Sequence, residues 1–168
     1  MKFHLVDTIE LITPGERIVT RKNLSLAEEY LADHFPSFPV LPGVMMLEAM
    51  TQSAAWLVRV KQSFSRSIVV LASARNVRYG HFVAPGNALR CDVSVKEIGE
   101  EISRFTATAM VGDQKAVTAK LDLRSFNLAD ESPWLAESDA AIIRQCRRTF
   151  SLIGGPTLLD EAASAGLV

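Results

Sequence analysis

The chain has 168 residues, which gives room for one main domain with a substantial core. Its 18 Lys and Arg against 19 Asp and Glu leave a net charge of −1, so nothing attracts the phosphates of nucleic acid and no nucleic-acid partner is expected. Hydrophobic residues make up 48%, yet charges interrupt every run before the ~20 apolar positions of a bilayer span, so no membrane partner is expected either.

The N-terminus, MKFHLVDTIELI, alternates apolar with polar residues and has neither the apolar centre nor the cleavage site of an export signal. Cys91 and Cys146 lie far apart with no metal-like spacing. They suit reduced thiols in the cytoplasm, with no structural metal and no cofactor implied.

From Phe3 to Thr20, two extended segments flank ITPGE, where Pro14 and Gly15 supply the dihedrals of a tight turn, so a hairpin is predicted. Ser25 and Glu28 fit a capping box and predict a short helix from about Leu26 to Leu31. Pro36, Pro39 and Pro42 lack backbone donors and make the following segment a stiff loop.

Beyond Gly43, VMMLEAMTQSAAWLVRVK predicts a buried helix from Val44 to about Lys61. At about 100° per residue, Glu48, Thr51, Gln52 and Arg59 fall on a single polar seam of that helix. Met45, Met46 and Met50 are read as core.

The period then changes to two through SIVVLASARNVRY, ALRCDVSVKEI, RFTATAM and AVTAKLDL, which predicts four successive strands. APGN at 84–87, GEE at 99–101 and GDQ at 112–114 read as turns between antiparallel neighbours. The order predicts an α+β fold, a curved antiparallel sheet wrapped around a long central helix.

Residues 126–168 differ in composition and read as a helical extension to a domain spanning 1–125. Its helix starts with Ser132 as cap and Pro133 in the first turn, and GGP at 154–156 is expected to stop it.

The chemistry concentrates in DHFPSFPVLPGVMMLEA, residues 33–49. Histidine's unperturbed pKa of ~6.5 makes His34 the first candidate for proton transfer, although a histidine beside a proline turn is often a hydrogen-bonded loop residue. Glu48 is the single acid of an apolar helix, where a buried carboxylate is costly without a partner or a role. Arg59 is about three helical turns away at ~1.5 Å per residue, too far to be that partner.

At the helix start, the free N–H groups of Gly43 and Val44 and the positive dipole end suit a carbonyl oxygen that gains negative charge. Proton transfer beside a polarised carbonyl suits chemistry on the carbon next to a thioester or similar carbonyl. His4 and His81 lack such a setting and read as surface or packing residues.

The run HFPSFPVLPGVMMLEAMTQ resembles the 3-hydroxyacyl-acyl-carrier-protein dehydratases, which have the hot-dog fold. FHLVDTIELITPGE and ARNVRYGHFVAPGNALRCDVSV extend the resemblance over residues 3 to about 124, leaving the tail outside. It implies that His34 takes the proton beside the carbonyl, that Glu48 assists departure of the hydroxyl, and that the Gly43 amide binds the thioester carbonyl. The product would be a trans-2-enoyl thioester, made on acyl carrier protein or coenzyme A.

The resemblance also implies that each site takes His34 and Glu48 from different subunits of a homodimer, or of a hexamer built from dimers. Gln52, one turn beyond Glu48, can orient that carboxylate. Phe38, Tyr79 and Phe82 fall in the region that lines or gates the acyl tunnel, or simply packs there. Ser37 stands where relatives usually have glycine, Phe38 is bulkier than expected, and Gly80 and Phe82 replace a more usual basic residue and proline.

Arg144, Arg147 and Arg148 on the tail, or Arg75 and Arg78 beside the tunnel region, are alternative contacts for the carrier. A hot-dog thioesterase and a catalytically silent acyl-binding subunit are the competing readings. The retained His34 favours dehydration over the first, and the intact His34 and Glu48 count against the second.

Overall fold

A computed structural model of the chain describes residues 3–35 and 37–164. Strands β1 (Thr8–Thr13) and β2 (Arg17–Asn23) form the expected hairpin, with Gly15 at φ +80° in its turn and Ile12 opposite Ile18. Residues 3–7 precede the strand; Leu5 and Val6 are nevertheless buried.

Helix α2 (Gly43–Lys61) forms as predicted. Strands β3 (Ile68–Tyr79), β4 (Ala88–Ile98), β5 (Ile102–Val111) and β6 (Gln114–Phe126) complete a six-stranded sheet in the order β1-β2-β4-β5-β6-β3. Every pairing is antiparallel.

Alternation fixes which strand face meets the helix. Leu89, Cys91 and Val93 of β4, Phe105, Ala107 and Ala109 of β5, and Val117, Leu121 and Leu123 of β6 are buried against Met50, Ala54, Leu57 and Val58 of α2. Helix α2 touches every strand from β2 to β6, which requires the sheet to curve around it. Each fully buried Leu or Met contributes roughly 1.5–3 kcal/mol, so this inner layer dominates the stability. Two of the hydroxyls inside it satisfy one another: Ser53 Oγ donates to Ala49 O at 2.7 Å and lies 2.7 Å from Thr20 Oγ1.

Three expectations change. The four late strands are not a simple meander, because β3 lies at the sheet edge beside β6 while β4 pairs with β2. APGN is therefore part of a crossover past the start of α2, held where Leu41 N donates to Val83 O at 2.8 Å and Leu24 N to Asn87 O at 2.9 Å. GEE and GDQ do connect neighbours.

The short helix falls at α1 (Tyr30–Asp33), not at Leu26–Leu31. The capping box does not form there because the Glu28 carboxylate is taken by the nearly buried Lys22 at 2.7 Å. The loop to α2 carries Pro39 and Pro42 as predicted; Pro36 lies outside the described residues.

Third, GGP stops the first tail helix as expected, but the tail continues beyond it into a second helix. After two 3-10 turns, α3 (Ala136–Leu152) is followed by α4 (Gly155–Ser164), with Gly154 at φ +90° between them. Pro156 sits in the first turn of α4, where its missing N–H has no helical partner to lose. Phe150 of α3 packs between Trp56 and Phe64, with ring centroids 5.6 and 5.5 Å away. Ile9 N donates to Ile153 O at 2.9 Å, fastening the tail to β1. Among the described residues, no helix is long and apolar enough to cross a membrane.

Candidate active site

The start of α2 is set by Pro42, whose carbonyl accepts from Met45 N and Met46 N at 2.9 and 3.1 Å. The amides of Gly43 and Val44 thus fall at the first helical positions, where no carbonyl of the preceding turn can reach them. Gly43 has a steric role as well: a Cβ built there would lie 3.0 Å from the Tyr79 ring. The glycine lets the end of β3 close over the helix tip.

His34 is half-buried and follows α1 in an extended conformation, its ring centroid 4.4 Å from that of Phe35. Phe35 holds φ +52°, a left-handed value that costs energy in a residue with a side chain. His34, Gly43, Tyr79 and Phe82 line one cavity of about 260 Å³, together with Val40, Leu41 and Met46. Phe38 meets Phe82 edge to face at 5.7 Å beside it. Both aromatic side chains are exposed, as is Val44.

Glu48 lies elsewhere. With Gln52 it lines a second cavity of about 430 Å³, walled by Phe3, β3 and α3. Contrary to expectation Glu48 is exposed, because the polar seam of α2 faces this open cavity rather than the sheet. Gln52 makes the predicted bond, Nε2 donating to Glu48 Oε1 at 3.0 Å. The same amide also donates to Phe3 O at 3.1 Å and accepts from Leu5 N at 3.0 Å, so the N-terminal segment holds Gln52 in place. A single chain therefore separates His34 and Gly43 from Glu48 and Gln52.

Sequence reasoning missed the far end of this cavity. Arg59 approaches Trp56 with its Cζ 5.3 Å from the ring centroid, and Gln145, Cys146 and Thr149 of α3 face it. Arg59 was visible on the polar seam, but nothing in the tail signals where Cys146 goes.

Two basic candidates are engaged by groups of the chain itself, though both are exposed. Arg147 donates to Ser63 O at 2.8 Å and stacks on Phe64, while Arg75 pairs with Asp122 at 2.7 Å. Arg78, Arg144 and Arg148 are exposed.

A family model described as the FabA-like domain matches residues 1–120. A 3-hydroxyacyl-[acyl-carrier-protein] dehydratase FabZ of Desulforamulus reducens is 35% identical over 119 residues, 71% of this chain and 84% of the relative. The FabZ of Lactiplantibacillus plantarum is 32% identical over 116 residues, 69% and 79% of the two chains. The chain belongs to this FabA-like family of hot-dog dehydratases.

Solved structures share the fold at low identity. The dehydratase heterocomplex ApeI:P from Xenorhabdus doucetiae aligns with TM-score 0.64 and 16% identity, covering 79% of this chain and 90% of that one. A hypothetical thioesterase with coenzyme A from Streptococcus pneumoniae aligns at 0.52 and 10%, covering 71% and 84%. Residues 121–168 lie beyond the family match.

Proposed function

We infer that the protein dehydrates 3-hydroxyacyl thioesters, carried on acyl carrier protein, to trans-2-enoyl thioesters in fatty-acid or related lipid synthesis. Its FabZ relatives bear that activity in their names. The observation that carries the reading is the pairing of His34 with the Gly43 amide in one cavity, while Glu48, held by Gln52, stands exposed in another.

The chemistry follows from these positions. The thioester carbonyl accepts from the Gly43 and Val44 amides, which stabilise the charge that develops as the neighbouring C–H bond breaks. His34 takes that proton. Glu48 gives a proton to the departing hydroxyl, directly or through water, and Gln52 orients the carboxyl. Phe38, Tyr79 and Phe82 frame the entrance used by the acyl chain.

The two halves meet in a homodimer. Strand β3 is an edge of 12 residues whose outer side has no paired strand among the described residues. Val69, Val70 and Leu71 at its start line the Glu48 cavity, and Tyr79 at its end lines the His34 cavity. Antiparallel pairing of two such edges about a two-fold axis sets the start of one strand beside the end of the other. Each Glu48 then faces His34 of the partner subunit.

Residues 1–125 form the catalytic hot-dog domain and 126–168 an extension docked on it through Phe150. The free thiols of Cys91 and Cys146 suit a cytoplasmic protein. Arg78, near the His34 cavity, is the better placed of the exposed arginines to meet an acidic carrier.

Incubation with 3-hydroxybutyryl and longer thioesters, with enoyl absorbance and free thiol recorded together, tests the reading. Enoyl product without thiol is the expected result. Thiol without enoyl product would make the protein a thioesterase, and neither signal at any chain length would make it a silent acyl-binding subunit.

A further inference from the structure

The cavity that begins at Glu48 continues along the seam of α2 past Thr51, Ala55 and Trp56 to Arg59. Eleven residues at ~1.5 Å per residue make this run about 16 Å long. Val69 and Leu71 of β3 give it an apolar side wall. Its far end is closed by Gln145, Cys146 and Thr149 of α3, residues beyond the family match and thus an addition of this chain to the fold.

Arg59 is the unexplained group at that end. Its Nε is buried without a hydrogen-bond partner, and among the described residues no carboxylate lies within ion-pair distance of the guanidinium. Burial pulls its pKa below the ordinary arginine value, opposed by the neighbouring Cys146, yet an arginine remains charged. Arg59 as a whole is half-buried and lines the cavity beside Trp56, so its charge stands there without an acidic partner among the described residues. The planar guanidinium fork matches a carboxylate with two parallel N–H···O bonds.

We propose that Arg59 determines specificity by receiving a carboxylate at the far end of the acyl chain, so that the preferred substrate is a thioester of a 3-hydroxy dicarboxylic acid. The inference rests on the reading of Glu48 as the acid at the reacting carbons. The thioester end lies at Glu48, the methylenes run past Ala55 and Trp56, and the terminal carboxylate supplies the charge that Arg59 lacks. The eliminated water and its proton transfers are unchanged.

Calorimetric titration of the full chain with dodecanedioyl and dodecanoyl pantetheine, ligands of equal length that differ in the terminal carboxylate, tests this directly. The wild type is expected to bind the dodecanedioyl thioester at least tenfold more tightly, as a charge-assisted pair requires. Arg59→Met should abolish the preference and Arg59→Lys should keep part of it. Equal affinities, tighter dodecanoyl binding, no binding of either ligand, or a preference that survives Arg59→Met would overturn the proposal.

Because the readout is binding, it separates this inference from the reaction. Dodecanedioyl preference without enoyl formation from any hydroxyacyl thioester would count against dehydration alone. Dehydration of alkyl substrates with no dodecanedioyl preference would count against the role of Arg59 alone.

Discussion

At the scale of single residues, the site works through groups whose positions are enforced by neighbours. Gly43 has no side chain because Tyr79 fills that space, and Gln52 is fixed by two bonds to the N-terminal segment before a third orients Glu48. His34→Ala and Glu48→Gln should each lower kcat by about 10²–10⁴-fold, the usual worth of a positioned acid or base, with little change in melting temperature. Steady-state kinetics beside a thermal melt checks both halves of that statement; full activity in either variant removes the assigned role.

Asp139 tests a different residue-scale claim. Burial works to raise its pKa, but hydrogen bonds from Ser67 Oγ and from the amides of Ala129 and Leu128 outweigh it, holding the carboxyl below its ordinary value. A group lowered in the folded state stabilises the protein above the unfolded carboxylate range, near pH ~4, and that contribution is lost as pH falls through the lowered value. Asp139→Asn should therefore melt at a lower temperature than wild type at neutral pH. The gap should narrow in acid, and a gap independent of pH would refute this linkage.

At the scale of elements, the tail is fastened by shape. Gly155 opens α4 directly against Phe150, and a Cβ there would lie 2.3 Å from the ring. Gly155→Ala should push Phe150 off Trp56 and Phe64 at a cost of roughly 1–3 kcal/mol, read by denaturant unfolding. An unchanged midpoint would mean that α4 shifts freely and that the packing is loose.

Elements also show what the sequence makes legible. The limits of α2 could be read because Pro42 and Gly43 punctuate a long apolar run, and the late strands because Leu89, Cys91 and Val93 alternate. The motif from His34 to Glu48 supplies the residues proposed for the reaction through its resemblance to the dehydratases. The place of β3 could not be read, since strand order depends on contacts distant in sequence, and APGN has the same turn chemistry in a crossover as in a hairpin. The start of α1 differs from the expected one because Lys22, on β2 just outside the capping pattern, competes for Glu28. Glu48 was expected inside because apolar neighbours on a helix do not reveal which face looks onto a cavity.

At the scale of the whole molecule, one chain divides its chemical groups between two cavities, and the unpaired edge of β3 lies between them. The central claim is that two subunits complete each site. Mixing His34→Ala with Glu48→Gln after confirmed subunit exchange tests it most directly. Half of the dimers then carry both variants and hold one site with both groups intact, so dehydration should return to about a quarter of the wild-type rate. No recovery above the separate variants would contradict sites shared between subunits.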